Sequence, residues 1–164
     1  MATTEELAAL RAEIAAQRTP LPRPPDREDL VVHEDDLLWF ESAHNPARLA
    51  PVIGTGMKTF ELFVQEFEPG STSDMQRHHH EAVHVVLSGS GFSEIGARRH
   101  PWKQGEFICV PPMMWHRHYN GSETEPARML IVENSKILES LGLNFRESVG
   151  LLTWAELQEK GLDR

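Results

Sequence analysis

Hydrophobic residues between Leu37 and Val132 occur in short runs that are separated by turn residues such as Pro69-Gly70 and Asn120-Gly121. Short runs rich in β-branched and aromatic residues, closed by turn signals, are typical of β-strands. The pattern predicts nine strands, over 37–41, 58–67, 73–78, 82–88, 92–96, 98–102, 106–111, 115–119 and 127–133. So many short strands exceed one flat sheet and predict an all-β sandwich or closed barrel.

Helical spacing is confined to the two ends of the chain. Leu7, Leu10 and Ile14 recur at helical spacing and predict a helix over 4–17. The proline-rich stretch over 19–25 cannot continue that helix and should be an extended connector.

Two more helices are expected after the last strand. Ser135–Leu141 is stopped by Gly142, and Thr153–Lys160 begins with a capping-box pattern. The predicted organisation is therefore a helix and connector over 1–25, followed by one domain over 26–164.

Composition narrows the classes of function. The formal net charge of −9 argues against a nucleic-acid partner, which would need clustered Lys and Arg. No apolar stretch approaches the roughly 20 residues that span a bilayer, so no membrane partner is expected. The only cysteine, Cys109, lies in an apolar run and is predicted to be a core residue. A chain without a disulfide framework fits the cytoplasm.

Histidines are concentrated in two short segments, over 78–84 and 116–118. Alternate residues of a strand point to the same face, so His78 can converge with His80, and His116 with His118. Neutral imidazole is the commonest metal ligand in proteins. Three or four such groups would hold Zn, Fe, Mn, Co, Ni or Cu.

The second of these segments carries a family resemblance. Residues 105–120 read Gly-Glu-Phe-Ile-Cys-Val-Pro-Pro-Met-Met-Trp-His-Arg-His-Tyr-Asn. This run resembles the second cupin motif, G-x5-P-x-G-x2-H-x3-N, with Met113 where the family usually has Gly. The histidine of the motif falls on His116.

The upstream segment is similar to the first cupin motif, G-x5-H-x-H-x3,4-E-x6-G, in two registers. One register uses His78, His80 and His84, with His84 in place of the usual Glu. The other begins at Gly70 and places Gln76 at the first histidine, His78 at the second and Ala82 at the glutamate. It also matches the common cupin run HEAVxYVLxG and is slightly preferred.

The resemblance, which covers roughly residues 58–133, implies a cupin double-stranded β-helix, that is, a jelly-roll barrel. It implies one divalent metal ion per chain, with Fe(II) favoured and Zn, Mn, Ni, Co or Cu as alternatives. His78, His84 and His116 are ligand candidates in either register, since Ala82 and His84 share a face of the strand. The remaining position falls to His80 or to the amide oxygen of Gln76.

A competing motif lies within the same residues, because His80 to His84 also reads H-E-x-x-H, the zinc-protease signature. That chemistry requires a helix. The β-branched residues Val83, Val85 and Val86 and the glycines that follow favour a strand, so a protease is not expected.

Three functions remain compatible with a metal at the mouth of a barrel. The resemblance to small histidine-rich cupins such as gentisate and acetylacetone dioxygenases favours an O₂-dependent dioxygenase acting on a small aromatic or dicarbonyl compound. The alternatives are a non-redox lyase or isomerase and a non-catalytic small-molecule-binding cupin. Glu81 and His118 are the acid/base candidates, and Met113 and Trp115 are the candidates for the substrate pocket.

A homodimer is expected, because cupins commonly pair through barrel edges and pairing protects an exposed edge strand. The predicted helix over 4–17 and the strand near 37–41 are the expected contributors.

Overall fold

The computed structural model describes residues 3–5, 8, 9, 12, 31–53 and 56–163. The predicted helix over 4–17 lies mostly outside the described residues, although residues 4, 5, 8, 9 and 12 are helical. The predicted connector over 19–25 lies wholly outside them.

Strands dominate the described part of the chain, as the sequence predicts. The strands are β1 (Phe40–Ser42), β2 (Asn45–Pro51), β3 (Glu61–Phe67), β4 (Gln76–His78), β5 (Ala82–Ser88), β6 (Ser90–Ile95), β7 (Arg98–Lys103), β8 (Phe107–Val110), β9 (His116–Asn120), β10 (Ala127–Glu133) and β11 (Arg146–Ser148). A 3-10 turn (Glu34–Asp36) precedes them, and helices α1 (Ser135–Ser140) and α2 (Trp154–Glu159) lie near the C-terminus. Each predicted strand overlaps an observed one.

The strands form two antiparallel sheets that face each other. One sheet has the order β1-β2-β3-β10-β5-β8 and the other β11-β4-β9-β6-β7. The main core lies between them, where Phe67, Val86 and Met129 from the first sheet meet Ile95 and Trp102 from the second. This arrangement confirms the all-β jelly-roll barrel with short C-terminal helices.

Two strands are absent from the sequence-based prediction. β2 contains Pro46 and Pro51, which lower its strand propensity, yet it pairs with β1 on one side and β3 on the other. β11 is the polar tripeptide Arg146–Ser148, which has no apolar alternation and is held at the sheet edge by pairing with β4. Tertiary pairing, which local pattern does not encode, creates both strands.

The prediction that Cys109 is a core residue is wrong, because its side chain is exposed. In β8 the buried residues are Ile108 and Val110, and the strand alternates so that Phe107 and Cys109 face outward. The apolar run therefore contains one inward and one outward row.

A second, smaller core holds the C-terminal segment against the barrel. Met75, Trp115 and Leu157 are buried together there, and the indole Nε1 of Trp115 donates to the carbonyl oxygen of Leu162 at 3.0 Å. The predicted capping box at Thr153 is present at the start of α2. Within the described residues, no helix is long and apolar enough to cross a bilayer.

Candidate metal centre

Five histidines are buried on the inner side of the barrel. His78 ends β4, His116 and His118 lie in β9, His84 lies in β5, and His80 lies in the link between β4 and β5. Each is at most 4% exposed. The five rings therefore come from both sheets and from the link between them.

These imidazoles form one continuous row of ring contacts. The rings of His78 and His80 stack with their centroids 3.6 Å apart, and His78 meets His116 edge-on at 4.7 Å. His116 and His118 lie 5.7 Å apart, and His118 and His84 lie 4.3 Å apart. The structure thus brings together all five histidines that the sequence singles out.

Backbone carbonyls fix the tautomers of two of these rings. Nδ1 of His78 lies 2.7 Å from the carbonyl oxygen of His80, and Nδ1 of His116 lies 2.9 Å from that of Met114. A carbonyl oxygen can only accept, so each Nδ1 carries the hydrogen. Nε2 of both rings is left with a free lone pair, which is the form that binds a metal.

His118 contacts Ser93 inside the barrel, and Ser93 is also hydrogen-bonded to Trp102. Its Nδ1 lies 2.7 Å from the hydroxyl of Ser93, which also accepts a hydrogen bond from the indole Nε1 of Trp102 at 3.0 Å. His118 and Ser93 are fully buried. The ring is therefore fixed in place next to His84 and His116.

Several buried side-chain nitrogen and oxygen atoms in this region have no hydrogen-bond partner. They are Nδ1 of His84, Nε2 of His116, Nε2 of His118 and Oε1 of Gln76. A buried polar group without a partner costs about 1–3 kcal/mol, so this many near one place indicates a site built for a ligand. Nitrogen and oxygen lone pairs are the donors that a divalent transition metal requires, and the residues fit such an ion.

Burial also keeps four of the imidazoles neutral. Loss of contact with water, together with a smaller effect of neighbouring imidazoles, lowers the pKa of His78, His84 and His116 to about 3 each. Burial lowers the pKa of His118 well below its ordinary value for the same reason. Rings that resist protonation near neutral pH keep their lone pairs available.

The side chains are partly engaged with one another. Nε2 of His80 lies 3.2 Å from Oε2 of Glu133, and its Nδ1 lies 3.2 Å from Oδ1 of Asn144. In this arrangement, the described His, Cys, Asp and Glu side chains form no group of three that could hold a metal ion. The chemistry of these side chains, and not their spacing in this structure, is therefore what fits a metal ion.

A cavity of about 230 Å³ opens beside this row of rings. His78, His80 and His84 line it together with Gln76, and Glu133 lies at its wall. The other lining residues are Asn45, Leu49, Glu61, Phe63, Gln65, Ile131, Ser135, Asn144 and Arg146. The cavity is therefore small, is lined mainly by polar residues, and is large enough for a small molecule only.

A larger groove of about 720 Å³ lies elsewhere, between β7 and β8. Apolar side chains such as Trp102 and Ile108 line much of it, and none of the five buried histidines does. It lacks the row of buried imidazoles that lies beside the smaller cavity.

Five of the predicted site residues do not line the cavity: His116 and His118, which belong to the row of rings, and Glu81, Met113 and Trp115. Glu81 is exposed and pairs with Asn134, whose amide donates to its carboxylate at 3.3 Å. Met113 is 37% exposed, and Trp115 packs in the C-terminal core.

Sequence reasoning missed three charged residues of the cavity, Glu61, Glu133 and Arg146. Glu133 ends the apolar run of β10, and no motif marks it. Only the pairing of strands reveals that it faces the histidines.

Strand boundaries accommodate both registers of the first motif. β4 spans Gln76–His78 and pairs Gln76 directly with His116, while β5 contains both Ala82 and His84. These boundaries also put His84 in a strand, which excludes the helix that the H-E-x-x-H motif requires.

Comparison with known proteins agrees with the fold and the motifs. The cupin domain family matches residues 63–133. A 1-hydroxy-2-naphthoate 1,2-dioxygenase from Nocardioides sp. (strain KP7) is 29% identical over 99 residues, which cover 60% of this chain and 26% of that protein. Auxin-binding protein T85 from Nicotiana tabacum is 32% identical over 87 residues, or 47% of this chain and 46% of that protein.

The matches cover only a small part of the length of these dioxygenases. The chain spans only about a quarter of the length of two of the dioxygenases that it matches, at 26% and 24%. The likeness therefore concerns about a quarter of each and leaves most of those enzymes unmatched.

Solved structures show the same fold at low sequence identity. A salicylate 1,2-dioxygenase from Pseudaminobacter salicylatoxidans aligns with a TM-score of 0.59 at 15% identity, over 90% of this chain and 50% of that one. A cupin-2 domain protein from Rhodospirillum rubrum aligns with a TM-score of 0.57 at 23% identity, over 76% of this chain and 79% of that one. Residues 63–133 thus match the cupin domain family, and the described part of the chain has the all-β jelly-roll fold of these solved structures.

Proposed function

We propose that this protein is a metal-dependent cupin enzyme, an O₂-dependent dioxygenase that acts on a small aromatic or dicarbonyl compound. The observation that carries the proposal is the row of five buried imidazoles, three of which have an unpartnered nitrogen atom, beside a small cavity. The dioxygenase relatives support the reaction class, although at low identity.

The metal ligands follow from the lone pairs that the fold leaves free. His78 and His116 would each bind through Nε2, because their Nδ1 atoms donate to backbone carbonyls. The further ligands would come from His80, His84 and the amide oxygen of Gln76. A ferrous ion held there would supply open coordination positions at which substrate and O₂ react together.

The remaining residues of the cavity would bind the substrate and exclude water. Phe63, Leu49 and Ile131 supply an apolar wall on one side, against which a ring or alkyl group can pack. Arg146 lies at the cavity and also contacts Asp74 across 3.6 Å, so it could attract an acidic group of the substrate. Glu133 lies at the same wall, with its Oε2 3.2 Å from Nε2 of His80.

A non-catalytic binding protein is the second candidate, and one observation favours it. The relative that is 32% identical over 87 residues is named as an auxin-binding protein. In that case the cavity would retain a small molecule without turning it over.

Oxygen uptake separates these two candidates. The full chain, purified without air and loaded with Fe(II), is mixed with hydroxylated aromatic acids or β-dicarbonyl compounds in an oxygen electrode. We expect substrate-dependent oxygen uptake by the wild type and by His100→Ala, whose histidine is exposed in β7, and none by His116→Ala. Stabilisation by the same compounds without any oxygen uptake would contradict the dioxygenase and support the binding protein.

A further inference from the structure

We infer that Glu133 supplies the carboxylate that the first cupin motif lacks in this chain, so that the metal centre is completed from β10. This inference rests on the proposed metal centre. It concerns a residue outside both motifs, and therefore one that motif comparison would not assign.

Glu133 faces Ala82 across the pairing of β10 with β5. In the preferred register, the glutamate of the motif falls on Ala82, the first residue of β5, which has no donor atom in its side chain. The residue directly opposite Ala82 on β10 is Glu133. Directly opposite residues of an antiparallel pair project from the same face, with Cβ atoms about 4.5–5.5 Å apart. A carboxylate at Glu133 therefore enters the space that one at Ala82 would occupy.

Glu133 also contacts one of the buried histidines. Its side chain is 15% exposed, lines the histidine cavity, and places Oε2 3.2 Å from Nε2 of His80. Two atoms that bind one ion at about 2.0–2.2 Å lie roughly 2.8–3.6 Å apart when the angle between them is near 90–110°. The 3.2 Å separation, which is that of an ion pair in this structure, also lies within that range, so the two atoms can bind one ion without a change in their spacing.

A second carboxylate at the cavity does not have the same relation to the motif. Glu61 lies opposite Glu133 on β3, one strand farther from Ala82. It also accepts a hydrogen bond from the hydroxyl of Ser135. Glu61 is therefore the matched control, because it contributes the same charge to the same cavity without facing Ala82.

A carboxylate from Glu133 would affect which metal ion the proposed site prefers. A site of imidazoles and one amide would be electrically neutral, whereas Glu133 gives it one negative charge against the two positive charges of the ion. Carboxylate oxygen suits harder ions such as Mn(II) and Fe(II) better than a purely nitrogen site does. The charge of the site would then equal that of the standard motif.

Cobalt(II) titration of the full chain tests the inference, with chelator competition for the affinity and visible absorption for the ligand field. We expect Glu133→Gln to weaken Co(II) binding at least about tenfold and to change the absorption bands. We expect Glu61→Gln to stay within about threefold of the wild type. Adding Ala82→Glu to Glu133→Gln should restore the affinity, since the carboxylate returns to its motif position.

Thermal unfolding of each metal-free variant verifies that the barrel is folded, and Glu133→Gln keeps the shape of the side chain. If Glu133→Gln binds Co(II) with wild-type affinity, the inference about Glu133 is overturned but the proposed metal centre is not. Equal losses in Glu133→Gln and Glu61→Gln would also overturn it, because they would indicate a general effect of cavity charge. A wild type that binds no Co(II) would overturn the proposed metal centre and the inference with it.

Discussion

At the scale of single residues, burial and one hydrogen bond decide what each histidine can do. The inward direction of His78 and His116 follows from motif spacing, and the structure places both in the barrel. The tautomer of each depends on a carbonyl that lies two residues away in the chain, which no pattern encodes. Glu133 could not be predicted, because its role depends on a partner strand about 50 residues away in the chain, at Ala82.

Acid should destabilise the metal-free protein through these histidines. Their pKa in the folded state is about 3 for His78, His84 and His116, below the value of about 6.5 in the unfolded chain. Between those two values the unfolded chain binds more protons, so the free energy of unfolding falls as the pH falls. We expect a loss of about 2 kcal/mol per histidine at pH 5 relative to neutral pH.

Denaturant unfolding at pH 7.5 and pH 5.0 measures this loss. His84→Gln, which removes one titrating ring, should reduce the difference between the two pH values. Equal free energies of unfolding at both pH values in the wild type would show that the rings are accessible to protons in the folded state, contrary to their burial.

At the scale of elements, alternation predicts strands well where one face is buried and poorly elsewhere. β5 and β10 were predicted with their exact bounds, because their apolar residues are many and their ends are marked by turns. β2 and β11 were not, since proline and polar residues hide them and only pairing makes them strands. Register between strands, on which the site depends, also lies beyond local pattern.

At Gly91, β6 packs closely against Tyr119 of β9 and Trp102 of β7. A Cβ at this position would lie 2.0 Å from the carbonyl oxygen of Tyr119 and 2.7 Å from the ring of Trp102. We expect Gly91→Ala to destabilise the protein by about 3 kcal/mol, because backbone of β9 would have to move. Since β6 also carries Ser93, which holds His118, the same change should weaken metal binding.

Gly105→Ala is the matched control, and thermal or denaturant unfolding is the measurement. Gly105 has a positive φ of +86° but nothing within 4 Å of an added Cβ, so only backbone strain of about 1–2 kcal/mol is expected. Loss of stability in Gly91→Ala no larger than in Gly105→Ala would contradict the close packing of β6 on β9.

At the scale of the whole molecule, the candidate centre lies between two sheets. His84 and Glu133 come from the six-stranded sheet, and His78 and His116 from the five-stranded one. An ion bound by both groups would connect the sheets and raise the free energy of unfolding, since the unfolded chain lacks the assembled site. The domain bounds and the homodimer stay predictions, because the helix over 4–17 lies mostly outside the described residues.

Metal content is the most direct test of the account. Untagged wild type, His116→Ala and His100→Ala are purified without air, and bound metals are counted by plasma mass spectrometry. We expect about one equivalent of a divalent transition metal, iron by preference, in the wild type and in His100→Ala, and little or none in His116→Ala. Absence of metal from the wild type, or full occupancy in a folded His116→Ala, would contradict the histidine metal centre.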